Sequence, residues 1–337
     1  MCEEPGKVDR AFFETHIAPT LQPTHESTAV GPGFGLDFGV IDPGSQRIVI
    51  AADPLSVYPA LGFERAGRLA LHSVLSDVAV SGLSPTHLAV NLALPESMST
   101  DEFGALWGGI TDECDALGVD IVTGHTGRTT GTYPDVGGAV ALGIGPRSEI
   151  VRPDGAQPGE TVLLTKGPAW EVAGLVATLF PDAFDVESRR LERAQSRLDE
   201  TTLVRDAVTA AAAGPVSAMH DATECGVQGA LVEMATTAGV RFELTTDSIP
   251  DQPAVETICQ HLQLDPWMVS SRGTLLITVP ESGVDSVVTA LKRRDTPVAK
   301  IGTVRSGAGV VLDGEEVTHP RSDPAWQAFQ RLQNTSQ

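Results

Sequence analysis

Three glycines at alternate positions, Gly31, Gly33 and Gly35, lead into the carboxylate of Asp37, and this is the stretch best suited to chemistry. Glycine lets a backbone approach a bulky ligand, and successive N–H groups can line an anion-binding concavity. A carboxylate ending such a loop would repel bare phosphate, so Asp37 fits best as a ligand for Mg²⁺ that carries the phosphate. A glycine-rich turn before an edge strand would read the same way. Three further carboxylates could join it. Asp53 ends the apolar run Ile48-Val49-Ile50-Ala51-Ala52, which reads as a buried strand. Asp77 stands one residue off the stripe Leu71, Val74, Leu75 and Val78, at the edge of a buried helix face or on its solvated flank. Asp221 precedes the helical pattern Val227, Ala230, Leu231, Met234 and Ala235, where a carboxylate can meet a ligand or cap the helix. His125, in a Gly-His-Thr-Gly loop after a strand, could contact phosphate, help hold metal, move a proton near neutral pH or make a local structural bond. His72 and His87 read as structural.

The segments around these residues also form an ordered set. They are Gly33-Phe34-Gly35-Leu36-Asp37-Phe38-Gly39-Val40-Ile41, Ala52-Asp53-Pro54, the run from Leu75 to Pro85, Val122-Thr123-Gly124-His125-Thr126, and the run from Met219 to Gly226. In order and spacing, from about residue 7 to about residue 310, the chain resembles the superfamily of aminoimidazole ribonucleotide (AIR) synthetase. That superfamily also holds thiamine-monophosphate kinase, selenophosphate synthetase and the hydrogenase maturation factor HypE. Archaeal HypE-like members share counterparts of Gly6-Lys7-Val8 and Leu164-Thr165-Lys166-Gly167.

The resemblance implies an α+β protein with an N-terminal ATP-binding domain, dimerising through its sheet, and a C-terminal α/β sandwich. By it Gly31, Gly33 and Gly35 line the phosphate path, with Asp37, Thr126 and Lys166 also at the nucleotide. Asp37, Asp53 and Asp77 hold Mg²⁺, and His125 and Asp221 face the reacting phosphate. The implied cofactors are ATP and Mg²⁺, and the implied reaction activates an oxygen of a small substrate by phosphoryl transfer. Two alternatives stand beside it: a small-molecule kinase like thiamine-monophosphate kinase, and a nucleotide-binding maturation or regulatory protein without turnover. Three departures qualify the resemblance. The sequence carries no cysteine after Cys259, whereas HypE receives its carbamoyl group on a terminal thiol. His125 stands where kinase-like members have an acidic residue, and Cys2 is too far from the glycine loop to match the reactive residue of selenophosphate synthetases.

The 337 residues exceed what one core normally fills, so two domains are expected. The turn-dense stretch Val151–Gly159 divides them, giving 1–150, 160–320 and a polar tail, 321–337. The net charge of −21 is poorly suited to nucleic acid or anionic membranes. Such acidity, with lysine only at positions 7, 166, 292 and 300, resembles proteins of salt-accumulating halophiles. With no ~20-residue apolar run and no apolar leader, a cytoplasmic protein is expected. Cys114 and Cys259 read as buried; Cys225, in a first helical turn, could have a lowered pKa there, but with no base beside it reads as a structural or incidental thiol.

The elements that must position the site alternate along the first half. Strands are expected at 48–52, 86–94, 120–123 and 136–144. Helices are expected at 63–82 and from Ser99, whose capping box with Glu102 opens a helix that Gly118 ends. In the second half strands are expected at 161–165, 217–220, 241–245, 273–279 and 298–304. Helices fall at 188–213, 224–238, 254–262 and 284–293, with one opening at Lys166-Gly167-Pro168 and a short amphipathic one near Trp326.

Overall fold

The computed structural model describes residues 6–21, 24–249, 252 and 254–335, so Cys2 and the end of the expected polar tail lie outside the described residues. Two compact units result. Residues 24–31 and 37–150 form one, and residues 6–21, 32–36 and 151–335 form the other. The N-terminal segment and the loop carrying Gly33 and Gly35 were read from sequence as part of the first domain, yet they group with the second unit.

The N-terminal segment opens with a short helix, α1 (Arg10–Phe12), where the side chain of Asp9 accepts the N–H of Phe12, and continues through a π turn and a 3₁₀ turn to Thr20. The first unit is then built on β1 (Thr28–Val30), β2 (Gly39–Ile41), β3 (Arg47–Ser56), α2 (Phe63–Ala79), β4 (Pro85–Pro95), α3 (Thr100–Leu117), β5 (Asp120–Thr129) and β6 (Asp135–Gly145). Its sheet has six strands in the order β1-β2-β3-β6-β4-β5. The β4–β5 pair is parallel and joined by α3, the crossover that parallel neighbours require. Leu71, Val74, Leu75 and Val78 are fully buried, so the apolar stripe of α2 covers one face of the sheet. Ser99 and Glu102 form the expected capping box, and Gly118 closes α3 in the left-handed conformation. Helices α2 and α3 touch through their backbones at Gly109, where any Cβ would collide with the Glu64 carbonyl.

The second unit continues with β7 (Thr161–Thr165), α4 (Trp170–Leu179), α5 (Ser188–Ser196), α6 (Val204–Ala213), β8 (Ala218–Asp221), α7 (Gly226–Ala238), β9 (Arg241–Leu244), α8 (Val255–Leu262), β10 (Leu275–Val279), α9 (Glu281–Lys292), β11 (Val298–Arg305), β12 (Gly309–Leu312), β13 (Glu315–Val317) and α10 (Ala325–Thr335). The strands form a seven-membered sheet in the order β13-β12-β9-β11-β7-β10-β8. Strands β7 and β10 are buried at every position, and apart from three threonines their residues are all apolar. Val162, Leu164, Phe242, Leu276 and Ile301 pack with Ala230, Leu231 and Met234 of α7.

Three local expectations change. The helix after β7 opens at Trp170 and not at Pro168, because Lys166, Gly167 and Ala169 all take positive φ. Tertiary bonds hold that turn: the Thr274 hydroxyl donates to Gly167 O and the Ala169 N–H to Ser271 Oγ, both at 2.8 Å. The helical stretch expected over 188–213 is divided between α5 and α6 by a 3₁₀ turn at Arg197–Glu200. There Arg197 is buried with its guanidinium 4.9 Å from the centre of the Trp170 ring. Finally, β5 runs on to Thr129, so His125 lies within a strand and not in a loop. Among the described residues no helix is long and apolar enough to cross a membrane.

Candidate functional site

Asp221 is the last residue of β8, an edge strand whose four positions are all buried. The expected N-cap role does not hold, since α7 begins five residues later and Cys225 occupies the cap. Asp221 is 2% exposed and its Oδ2 has no hydrogen-bond partner among the described residues. A carboxylate oxygen buried without a donor is costly, and a bound cation is the natural remedy.

His220, beside it on the strand, is also 2% exposed. Its Nδ1 lies 3.7 Å from Asp221 Oδ1, while its Nε2 lies 3.0 Å from Glu233 Oε2 on α7. The other Glu233 oxygen is 3.5 Å from Lys7 Nζ and 3.5 Å from His319 Nε2. Burial by itself would raise the pKa of Glu233. The hydrogen bonds from His220 and His319 and the Lys7 charge outweigh it and hold this carboxyl well below the usual range. Glu233 is therefore the anion at the centre of the cluster. His319 Nδ1 is 2.6 Å from the Pro320 carbonyl, which can only accept, so Nδ1 carries a proton. Its Nε2 faces an ionised carboxylate and is a donor too. Burial works against charge on His319, but Glu233 and the Pro320 carbonyl raise its pKa above the ordinary value.

The loop at Gly33–Gly35 packs against this cluster. Gly35 has φ +70°, and a Cβ there would come within 2.9 Å of Glu233 Cβ and 3.1 Å of Thr237 Cγ2. The neighbouring Phe34 ring meets His319 edge-on at 5.7 Å and lies 5.2 Å beneath the Arg10 guanidinium. Glu224 ties both chain ends to the same region, with Oε2 accepting the Lys7 backbone N–H at 2.8 Å and Oε1 the Trp326 indole N–H at 2.7 Å.

In the first unit, Asp53 and Asp77 are half-buried, on β3 and α2 respectively, and Asp37 is half-buried just before β2. Gly31, half-buried just after β1, has open space around any added Cβ. Strand register divides the remaining candidates between two faces. Asp53 is paired through Ala139 and Val90 to Gly124, so it shares a face with Thr126 and with the buried Val49, Ala51 and Leu92. His125 pairs with Asn91 and through it with Gly138, which places it on the opposite face. His125 was expected to face the reacting phosphate from a loop after a strand; it lies instead within β5, on the face opposite Asp53, because adjacent strand residues point to opposite sides.

Lys166 is corrected as well. It is 5% exposed, and its ammonium donates to the carbonyls of Thr202 (3.0 Å) and Gly273 (2.9 Å) while pairing with Asp206 at 3.1 Å. All three N–H donors are engaged inside the unit, so none is left for a phosphate. Burial depresses the pKa of this lysine, partly offset by Asp206. The helix start does not activate Cys225, which is a buried structural thiol. Burial, reinforced by Asp323, Glu224 and Glu233, pushes its thiol up to about 12. Cys114 and Cys259 are buried as expected.

Of the residues in the Glu233 cluster, Lys7 and His220 lie within the sequence motifs but carry no assigned role, and Glu233 and His319 lie outside them. A signal for Glu233 was present: it is a charged residue beside Met234 on a helix otherwise apolar at 230, 231, 234 and 235. Nothing local tied positions 7 and 319 to it.

Both units have the domain structure of one family. Residues 35–144 match the N-terminal domain, and residues 157–315 the C-terminal domain, of the AIR synthase related proteins. The chain belongs to that family, and its two domains are of the PurM type. It is 27% identical over 303 residues to a hydrogenase expression/formation protein of Methanocaldococcus jannaschii, spanning 88% of this chain and 86% of the relative. It is also 27% identical over 311 residues to the carbamoyl dehydratase HypE of Escherichia coli K12, spanning 91% and 89%. Among solved structures, the hydrogenase maturation protein HypE in complex with ATP superposes with a TM-score of 0.66 at 21% identity, covering 92% of this chain and 93% of that one. AaThiL complexed with AMPPCP and TMP gives a TM-score of 0.69 at 20% identity, covering 87% and 91%. These two likenesses show the fold.

Proposed function

We propose that this protein is an ATP- and Mg²⁺-dependent enzyme that activates an oxygen of a small substrate by transfer of the γ-phosphoryl group. The observation that carries the reading is Asp221, a buried carboxylate at a strand end with one oxygen lacking any donor among the described residues. A metal-bound phosphate supplies the positive charge that such an oxygen needs, and catalysis of phosphoryl transfer is mostly positioning and electrostatic stabilisation. The family supports it: one relative is named for carbamoyl dehydration, and two fold neighbours hold ATP or AMPPCP.

On the first unit we assign Asp37, Asp53 and Asp77 to Mg²⁺, with Gly31 and Thr126 at the nucleotide. On the second we assign Gly33 and Gly35 to the phosphate path and Asp221 to the reacting phosphate. Lys166 is left out, being engaged within the unit, and His125 is left out on the register argument. A net charge of −21 makes divalent cations necessary partners of any nucleotide here. We also propose a homodimer formed through the sheet of the first unit. Val122 and Ile144, 56% and 40% exposed, lie on that sheet and favour a covered face.

The test is nucleotide turnover with Mg²⁺ in concentrated KCl, against a panel of small carbamoyl, carboxylate and phosphate compounds. We expect phosphate release that depends on one substrate class, and a loss of about 10³-fold in turnover for Asp221→Asn. A phosphorylated product that accumulates with ADP assigns the chain to the kinase reading, which the AaThiL likeness raises. ATP binding without turnover on any compound supports the non-catalytic alternative and overturns the enzyme reading.

A further inference from the structure

The strand end that carries Asp221 offers a second buried group beside the first. Both side chains are 2% exposed, and Nδ1 of His220 and Oδ1 of Asp221 stand 3.7 Å apart, close enough to share one ion. What decides the use of an imidazole is which nitrogen holds the proton, and here the surroundings decide it. Glu233 Oε2, a carboxylate oxygen, lies 3.0 Å from His220 Nε2. A carboxylate at that distance accepts, so Nε2 is the N–H nitrogen. Nδ1, on the Asp221 side, is then the nitrogen able to coordinate. Carboxylates that accept from the far nitrogen of a histidine fix ring orientation and tautomer in this way at metal centres generally.

Asp221 Oδ2, which has no hydrogen-bond partner among the described residues, is the independent sign that a cation belongs there. The geometry points to His220 as a nitrogen ligand, through Nδ1, of the divalent cation that Asp221 meets, and to Glu233 as the residue that positions it. This rests on the reading of Asp221 given above and adds the chemical character of its cation. Mixed nitrogen and oxygen donors favour Mn²⁺ and other transition ions over Mg²⁺, which prefers oxygen alone. Glu233 holds its place because it is itself held. Lys7 from the N-terminal segment and His319 from the loop after β13 balance its charge, each at 3.5 Å. The whole cluster, His220 and Asp221 included, belongs to one compact unit.

The test uses Mn²⁺ at one equivalent in concentrated KCl, which suppresses loose binding to the acidic surface. Electron spin-echo envelope modulation of the bound Mn²⁺ reads nitrogen ligands directly. We expect ¹⁴N modulation in the full chain and its replacement by a ¹⁵N pattern when histidine alone is labelled, a reading that needs no variant. In His220→Gln the modulation should vanish. In Glu233→Gln, folded by circular dichroism, Mn²⁺ should bind about tenfold more weakly with shallower modulation. His125→Gln should change neither. Bound Mn²⁺ without nitrogen modulation, or modulation that survives His220→Gln, overturns the assignment of His220. Unaltered affinity and modulation in Glu233→Gln overturn the assignment of Glu233. ATP binding, measured separately by calorimetry, keeps the two readings apart. Nitrogen coupling without ATP affinity overturns the nucleotide proposal and leaves the metal site standing. ATP affinity without the coupling does the reverse.

Discussion

At the scale of single residues, His125 shows how strand register bears on a role read from residue type. A histidine between Gly124 and Thr126 reads as a proton carrier near neutral pH, but period-two alternation on β5 sends it to the face opposite Asp53. We therefore expect His125→Ala to keep both ATP affinity and turnover within about threefold of the native protein, well under the ~10²-fold of a lost general acid or base. A decrease of that larger size in steady-state assays would return His125 to the reacting centre. Lys166 teaches the same lesson from the other side. In a chain with four lysines it stood out as a nucleotide ligand, yet burial with Asp206 makes it part of the second unit's own framework. Glu233 went unremarked in sequence and joins groups from positions 7, 220 and 319.

Among the elements, α10 is the short amphipathic helix expected within the polar tail, and its apolar face joins a core. Ala325, Ala328 and Phe329 are buried, and Phe329 meets the Phe180 ring edge-on at 6.4 Å. Its start is fixed by Asp323, which is 4% exposed and accepts N–H groups from Cys225 (3.1 Å), Ser270 (2.8 Å) and Ala325 (2.8 Å). Burial raises this carboxyl to about 6 from 3.8, against those three bonds. The sign follows from linkage. A carboxyl that holds its proton more tightly in the folded state favours folding at low pH and loses that contribution as pH rises through its folded pKa. Asp323 should thus subtract about 2 kcal/mol of stability between pH 4 and pH 7. Replacing it with Ala orphans three N–H donors, so Asp323→Ala should destabilise at both pH values, and by about 2 kcal/mol more at pH 4. Denaturant unfolding at the two pH values measures the difference, and an equal cost at both would contradict the burial of a shifted carboxyl.

At the scale of the whole molecule, charge governs. With 44 acidic and 23 basic residues, self-repulsion is large in dilute buffer and screened within a few ångströms in concentrated salt. We expect the melting temperature to rise by 10 °C or more, an order-of-magnitude figure, between dilute buffer and multimolar KCl. Equal values in both would remove the halophilic reading. In the same concentrated salt, light scattering should give a particle of about twice the 35.3 kDa chain. A mass near the single chain would remove the proposed dimer.

Sequence by itself determined what depends on neighbours along the chain. The 3.6-residue stripe of α2, the capping box at Ser99, the left-handed stop at Gly118 and the apolar run of β7 were all legible, because each is a local pattern with a local cause. The family was legible too, since its motifs recur in order from the glycine loop to His220-Asp221. The extent of β5 was not, because a glycine-rich, exposed edge strand has no alternation to read and is held by β4 from across the sheet. Nor were the positive φ values at Lys166, Ala169 and Cys225, which side chains favour little and tertiary bonds impose. Only the folded chain decided which charges meet. Lys7, His220, Glu233 and His319 are brought together from positions up to 312 residues apart by the packing of α7 against its sheet. Burial, which no single position in a sequence records, turns that meeting into chemistry.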